Sequence, residues 1–262
     1  MIKEKAYAKI NLTLNILNKR NDGYHNLKSV MIPISLYDEL VFEANNTYII
    51  NSEIEDNIIT KVFNIMKNKY NISNVKITLE KNIPTQAGLA GGSADATATI
   101  RGLNKLFNLN LSIQEQEEIA NMVGSDTLFT LHNKPAIISS RGDEIEFINH
   151  NYKFNILLIK PNIGISTKEA FANIKEYNLK HNDEIINETN TNKINELCYN
   201  SFLDSLLENK QFKSFYDDVN QHHKPHLTGS GSTLYIINDD INYLKEIQNK
   251  LNNYYTQIVN IK

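Results

Sequence analysis

Three of the chain's ten glycines, Gly88, Gly91 and Gly92, fall within five residues, in a stretch that runs from Lys81 to Asp95 as KNIPTQAGLAGGSAD. Backbone without a Cβ can approach a bulky anion closely, and successive N–H groups form a nest for it. The alternating residues Val75, Ile77 and Leu79 read as a strand that feeds this stretch. Ala96, Ile100, Leu103 and Phe107 form the apolar stripe of a helix that leaves it. The N-terminus of such a helix adds about half a positive charge. The chemistry these residues suit is the holding of phosphate groups. Ser93 and Asp95 stand where the helix begins, and Ser93 suits either a cap or a place beside a phosphate-bound Mg²⁺. The stretch is neither a Walker A motif, since no Gly-Lys-Ser/Thr closes it, nor a G-x-G-x-x-G. Taken alone it is equally compatible with a structural turn.

The other elements must position this loop. Ala6, Ala8, Ile10, Leu12, Leu14 and Ile16 share one face of an alternating run, and Tyr7, Lys9, Asn11 and Thr13 share the other. Period two with one apolar face predicts a half-buried strand, with Lys9 and Asn11 pointing together away from its core, about 7 Å apart. Asn21-Asp22-Gly23 signals a turn, and Val30, Ile32 and Ile34 a second strand. Ile58, Val62, Ile65 and Met66 predict a helix over 57–70. Residues 113–123 read as helical and 135–140 as extended. Phe154–Lys160 reads as a strand that opens a second region, with a boundary near residue 150. Residues 179–196, polar and rich in asparagine, read as a mobile loop or irregular insertion. Helical patterns over 196–208 and 211–221 precede a Gly/Ser turn at 228–232, a strand at 233–238, a helix near 240–252 and a last strand near 255–261. Helices and strands mix without regular β-α alternation, which predicts an α+β fold rather than a doubly wound sheet.

Composition narrows the partners. The 262 residues carry a net charge of −3, with 41% hydrophobic and 22% charged residues, ordinary for a globular chain. Lys and Arg form no stripe, so nucleic acid is not expected as a partner. No apolar run approaches the ~18 residues of a membrane span, and lysines interrupt the N-terminus where a signal peptide needs its apolar centre. No membrane association and a cytoplasmic location are therefore expected. One cysteine, Cys198, excludes an internal disulfide and reads as a buried, inert thiol.

The stretch IPTQAGLAGGSADA resembles the phosphate loop of the GHMP kinases, the superfamily of galactokinase, homoserine kinase and mevalonate kinase. Three further segments resemble its 4-diphosphocytidyl-2-C-methyl-D-erythritol kinase branch. They are AKINLTLNI followed by Asp22-Gly23-Tyr24-His25, then Gly124-Ser125-Asp126 with Phe129, then Leu227-Thr228-Gly229-Ser230-Gly231-Ser232. All lie in the family's order, from about residue 5 to 235, and the pairing of AKINL with DGYH is what picks out the branch. The resemblance implies a two-domain GHMP kinase architecture, with domains over 1–150 and 151–262 and the active site in the inter-domain cleft. It implies ATP and Mg²⁺, and transfer of the γ-phosphate to a hydroxyl of the cytidyl alcohol, giving its 2-phosphate and ADP in the non-mevalonate isoprenoid route. Lys9 and Asp126 match the catalytic pair. Pro84, Gly88, Leu89, Ala90, Gly91, Gly92 and Ser93 match the ATP-phosphate loop, with Ser93 the candidate for Mg²⁺. Asn11, Tyr24, His25, Thr167 and Phe171 match substrate contacts, Tyr24, His25 and Phe171 around the cytosine ring. A monomer or homodimer is expected.

Each assignment has a plainer rival: a helix cap or turn for Asp126, a solvated strand lysine for Lys9, a core aromatic for Phe171, a tight turn for Thr228–Ser232. Taken alone, the plainer reading of the first two is the favoured one; the family motifs around them reverse it, and elementary chemistry agrees with that reversal. A hydroxyl attacking phosphorus needs its proton accepted or its lone pair aimed, which a carboxylate does. An ammonium nearby keeps that carboxylate ionised and offsets charge on the moving phosphoryl group. The chain departs from the family pattern at Ala90 and Ala94, usually Gly and Ser, at Ser125, usually Ala, and at Thr127-Leu128, usually Val-Pro. Ser140-Arg141-Gly142-Asp143-Glu144 matches only loosely. Ala90 puts a Cβ at a position where the family's usual glycine suits a positive φ. The alternatives are another GHMP small-molecule kinase, of homoserine or mevalonate type, or a catalytically silent binding protein of the same fold. Tyr24-His25 speaks against the first, and the joint presence of Lys9 and Asp126 against the second.

Overall fold

The structure, a computed structural model, describes residues 1–51, 57–149, 152–174 and 176–262. Two long strands come first, β1 (Ile2–Lys19) and β2 (His25–Ala44), followed by the short β3 (Ile49–Asn51). Helix α1 (Ile58–Tyr70) leads to β4 (Val75–Glu80), and the glycine-rich stretch connects β4 to α2 (Gly91–Leu106). Next come α3 (Ile113–Asn121), α4 (Thr127–His132) and the hairpin of β5 (Ala136–Ser140) and β6 (Glu144–Phe147). The remainder runs β7 (Asn155–Lys160), α5 (Thr167–Ala172), α6 (Asn182–Ile185), α7 (Thr191–Leu197), β8 (Tyr199–Asn200), α8 (Leu203–Leu206) and α9 (Lys210–Asn220). It closes with β9 (His226–Leu227), β10 (Leu234–Asn238), α10 (Ile241–Lys250) and β11 (Tyr255–Asn260). The mixture is α+β in character, as expected. No helix among the described residues is long and apolar enough to cross a membrane.

The chain folds as two compact units that interleave in sequence. The boundary expected at residue 150 lies outside the described residues. The first unit comprises Met1–Ala8, Leu36–Pro84 and Ala90–Asn133. Its sheet pairs β3 parallel to β4, and β4 antiparallel to the end of β2, with Glu39 opposite Glu80 and Ala44 opposite Val75. Leu40 and Phe42 from β2, Val62, Phe63 and Met66 from α1, Ile77 from β4, and Ile100 and Leu103 from α2 meet in one buried core. Gly102 lets α2 lie against Phe42, since a Cβ there would run into the ring.

The second unit comprises Lys9–Ser35, Thr85–Leu89 and Lys134–Lys262. Four antiparallel strands form a sheet in the order β11-β7-β10-β9. The start of β2 pairs with β5, Leu27 opposite Ser140 and Met31 opposite Ala136. Leu157, Ile159, Leu234 and Ile236 of the sheet pack with Phe212, Phe215 and Val219 of α9 and Leu244 and Ile247 of α10.

Three expectations are corrected here. Over residues 8–16 strand β1 is buried on both faces, not half-buried: Lys9 is 2% exposed, Asn11 1%, and Thr13 and Asn15 are fully covered, while Lys3 and Lys5 nearer its start are exposed. Its second face is a layer of hydrogen-bonded polar groups, which is the condition for burying them. Thr13 Oγ1 donates to Asn182 Oδ1 (2.8 Å), and Asn15 receives the Lys180 backbone N–H at 2.8 Å. Those partners come from residues 179–196, which are therefore not a loose insertion. Asn182 and Ile185 are buried in α6, Ile194 is buried in α7, and Asn190 caps α7 by accepting from the N–H groups of Asn192 and Lys193. Nor is 196–208 one helix. Tyr199 and Asn200 pair in parallel with Thr13 and Leu14, and the Asn200 amide donates to the carbonyls of Leu227 and Gly229, each at 3.0 Å.

Candidate active site

In the second unit, the ammonium of Lys9, expected as the partner of Asp126, is held by its own strand and by the glycine loop. Nζ donates to Asn11 Oδ1 at 2.7 Å and to the Gly88 carbonyl at 2.9 Å, while the Lys9 backbone N–H donates to the Leu89 carbonyl at 3.2 Å. Asn11 extends the junction. Its Oδ1 also accepts from the Gly229 N–H (2.9 Å) and Thr228 Oγ1 (3.3 Å), and its Nδ2 donates to Ser29 Oγ (2.8 Å). Tyr235 Oη donates to the Asn11 carbonyl at 2.8 Å. Strand β1, residues 85–89 and the segment Thr228–Gly229 are thus tied together around one buried cation.

Gly88 is required at this junction. Its φ is +71°, and a Cβ would collide with the Thr228 carbonyl. Gly229, at φ +57°, would place a Cβ 2.7 Å from the Gly88 carbonyl oxygen. Gly88→Ala is expected to cost about 2–3 kcal/mol from backbone strain and clash together. In a chain of this size that lowers Tm by roughly 5–10 °C in a thermal melt. An unchanged Tm would mean that the loop moves freely away from Thr228.

In the first unit, the glycine stretch turns into α2. Ala90 precedes the helix at φ +59°, ψ 28°, and no side chain caps the helix, so the N–H groups of its first turn are directed to the loop. The family departure at Ala90 therefore sits in the left-handed region, where an alanine carries about 1–2 kcal/mol of strain. Pro84 closes the approach from β4. Gly91 and Gly92 open the helix with Ser93, which is half-buried.

Asp126 stands immediately before α4 at φ −89°, ψ 0°, the sparsely populated bridge region. Its side chain makes no capping hydrogen bond to that helix, which removes the cap reading. Thr127, one of the departures, secures the turn by donating from Oγ1 to the Ala120 carbonyl at 2.6 Å and to the Gly124 carbonyl. Thr130 Oγ1 donates to the Ser93 carbonyl at 3.0 Å, and a Cβ on Gly124 would come 3.7 Å from Ser93 Oγ. The structure thus brings the Gly124–Asp126 segment together with Ser93 and the start of α2.

A group that the sequence reading passed over supports the same helix start. Lys81 Nζ bonds Asp95 Oδ2 at 2.7 Å and Asp38, while Asp38 Oδ1 accepts from the N–H groups of Asn82 and Ile83. A Cβ on Gly91 would lie 3.1 Å from Lys81 Nζ. The signal available in the sequence was a lone lysine between β4 and the glycines, but its partner Asp38 is 43 positions away. Burial pushes the Asp95 carboxyl up to about 7, with Lys81 opposing and Asp38 adding to the rise, and its Oδ1 is buried without a hydrogen-bond partner. A carboxyl raised from 3.8 in this way favours folding at low pH, and that contribution is lost as pH rises through 7. Asp95→Asn is therefore expected to gain about 1–2 kcal/mol on the parent chain between pH 4 and pH 8. Parallel stability curves from denaturant melts at each pH would contradict this.

The aromatic residues gather in the second unit. His25 stacks on Phe171 with ring centroids 5.0 Å apart and 24° between planes, and Phe171 meets Phe202 edge-on at 4.9 Å. Phe171 is therefore both packed against the core and presented to His25. Burial and the Lys19 charge hold the His25 pKa below its usual value, which leaves a neutral ring with one donor and one acceptor nitrogen at pH 7. Thr167 Oγ1 and Ser230 Oγ are hydrogen-bonded at 3.0 Å, joining α5 to the 228–232 turn. Tyr24 is 60% exposed and stands outside the His25–Phe171 stack. Cys198 is inert as expected: it accepts from Tyr235 Oη at 3.5 Å, and burial pushes its thiol up to about 12.

No cluster of three or more His, Cys, Asp or Glu able to hold a metal occurs among the described residues. Mg²⁺ beside a nucleotide takes one or two protein oxygens and completes its shell with phosphates and water. Ser93 beside an uncapped helix start fits that role.

Comparison with known proteins accords with this geometry. The family described as GHMP kinases N terminal domain matches residues 57–134. The 4-diphosphocytidyl-2-C-methyl-D-erythritol kinase of Thermoanaerobacter pseudethanolicus is 39% identical over 97% of this chain and 93% of its own length. The protein of that name from Caldanaerobacter subterraneus subsp. tengcongensis is 47% identical over 64% of this chain, a match spanning 61% of that relative. A solved 4-(cytidine 5'-diphospho)-2C-methyl-D-erythritol kinase shares the fold at a TM-score of 0.85, with 21% identity and full coverage of both chains. This chain, with a buried lysine fixed on its glycine loop, belongs to the 4-diphosphocytidyl-2-C-methyl-D-erythritol kinase family of the GHMP kinases.

Proposed function

We propose that this chain transfers the γ-phosphate of ATP to a hydroxyl of 4-diphosphocytidyl-2-C-methyl-D-erythritol, giving the 2-phosphate and ADP. The observation that supports this reading most is the bond from Lys9 Nζ to the Gly88 carbonyl, which fixes a buried cation on the phosphate loop. The N–H groups at the start of α2, with Gly88, Gly91 and Gly92, would hold the ATP phosphates, with Pro84, Leu89 and Ala90 shaping the loop. Ser93 would contribute its hydroxyl to the Mg²⁺, which neutralises phosphate charge when bound.

In this reading the substrate oxygen forms a bond to the γ-phosphorus as the bond to the β-bridging oxygen breaks. The hydroxyl proton passes to the Asp126 carboxylate, and ADP leaves. Lys9 would offset the charge that develops on the phosphoryl group. His25 reads the cytosine edge with its neutral ring, Phe171 and Tyr24 offer stacking faces, and Thr167 lies beside them. Asn11 uses its oxygen to orient Lys9, leaving an amide hydrogen for a substrate oxygen. We place the reaction in the cytoplasm, where ATP is abundant.

The test is ADP release from Mg·ATP with the purified protein offered the cytidyl alcohol, homoserine, mevalonate or galactose. Turnover on the cytidyl alcohol alone is expected. Turnover on another alcohol would discard the cytosine site and keep the phosphate chemistry, and nucleotide binding without turnover on any would favour a silent binding protein.

A further inference from the structure

The turn that carries Tyr24 fixes its backbone but not its ring. Arg20 Nε donates to both oxygens of Asp22, at 3.2 and 3.1 Å, and the Tyr24 N–H donates to Asp22 Oδ1 at 3.1 Å. The Arg20 N–H donates to the Tyr24 carbonyl at 2.8 Å, and Gly23 completes the turn at φ +85°. The ring itself projects outward, 60% exposed. An exposed ring must lose rotamer freedom before it can stack on a ligand.

A second segment supplies what the turn lacks. Antiparallel pairing of β2 with β5 places Ser140 opposite Leu27, so Arg141 follows beside Asn26 and reaches back toward residue 24. Its guanidinium carbon lies 5.3 Å from the centroid of the Tyr24 ring. Arg141 is anchored in turn: Nε and Nη2 donate to Asp143 Oδ2 at 3.3 and 3.1 Å, and its backbone N–H donates to Asp143 Oδ1 at 3.0 Å. Ser140 at φ +61° and Gly142 at φ +101° shape this short turn. A guanidinium so fixed has a set orientation, and the attraction of a cation to a ring face transmits that order to Tyr24.

We propose that Arg141 is a positioning residue for the base site, clamping one face of Tyr24 so that the other stands ready to stack on the cytosine ring. This rests on the reading of Tyr24 as a cytosine contact. Arg141 acts through Tyr24 and does not touch the substrate, so its effect belongs in KM for the cytidyl alcohol, not in kcat or in KM for ATP.

Steady-state kinetics on Arg141→Met, Arg141→Lys, Tyr24→Ala and the Tyr24→Ala/Arg141→Met double variant test this, with thermal melts to confirm folding. Arg141→Met is expected to raise KM for the cytidyl alcohol about two- to five-fold, the scale of an exposed cation–π contact, and Arg141→Lys to recover part of the loss. In the Tyr24→Ala background Arg141→Met should have no further effect. Should Arg141→Met fail to fold, Asp143→Asn, which frees the guanidinium, is expected to raise KM in the same direction by a smaller factor. An unchanged KM in Arg141→Met, with Tyr24→Ala strongly impaired, overturns the inference and spares the cytosine site. An equal effect in both backgrounds overturns it in favour of direct contact with the substrate diphosphate. A lowered KM overturns it because the guanidinium would then be competing with the base. If Tyr24→Ala leaves KM unchanged, the cytosine reading itself falls and the clamp with it.

Discussion

Replacing Asp126 with alanine is expected to lower kcat by about 10²- to 10⁴-fold, the usual contribution of a positioned proton acceptor, while leaving ATP affinity nearly unchanged. The backbone around it should survive, because Asp126 makes no capping bond to α4 and the turn is secured by Thr127 and Thr130. The loss would therefore lie in the chemical step, and single-turnover kinetics would separate it from product release. Activity within a few-fold of the parent chain would remove Asp126 from the reaction and leave the phosphoryl transfer to electrostatics around Lys9.

Tyr24→Ala carries the second large effect, and it should fall on the other substrate. Loss of one base–aromatic stack costs about 1–3 kcal/mol, or roughly 5- to 150-fold in KM for the cytidyl alcohol. KM for ATP should not move, since Tyr24 belongs to a turn of the second unit whose contacts are with Arg20, Asp22 and Arg141. The ring is exposed, so the substitution should leave Tm within a degree or two. Equal rises in both KM values would point to a structural role instead.

What could be read from the sequence follows the range of the forces involved. Strands and helices with strong periodicity, such as β4, α1 and α2, appear where the pattern places them, because local burial decides them. Positive φ at Ala90 was also foreseeable, from the glycine that usually stands there. The polar face of β1 was misread because its partners are distant: Asn182 lies 169 positions from Thr13, and Thr228 217 from Asn11. Period-two alternation says which residues share a face, not what covers it. Residues 179–196 show the same limit, since a single buried asparagine and an Asn190 cap organise a segment whose composition suggested none. Helix α4 is one and a half turns long and gave no periodic signal, yet it presents Asp126. At the site, the family resemblance and not residue type alone singled out Lys9 and Asp126 as candidates. Only coordinates revealed that Asn11, Thr228 and Gly229 hold the lysine, and that Lys81 and Asp38 brace the start of α2.

In the proposed reaction a phosphoryl group moves from ATP to one hydroxyl of the cytidyl alcohol. ³¹P NMR of the completed reaction tests it most directly, because it reports the acceptor atom as well as the loss of ATP. A new phosphomonoester signal without proton splitting is expected, because the 2-carbon of the methylerythritol moiety bears no hydrogen, with the cytidyl diphosphate signals intact and ADP in equal amount. Inorganic phosphate as the sole product, or a phosphate on any other oxygen, would contradict it.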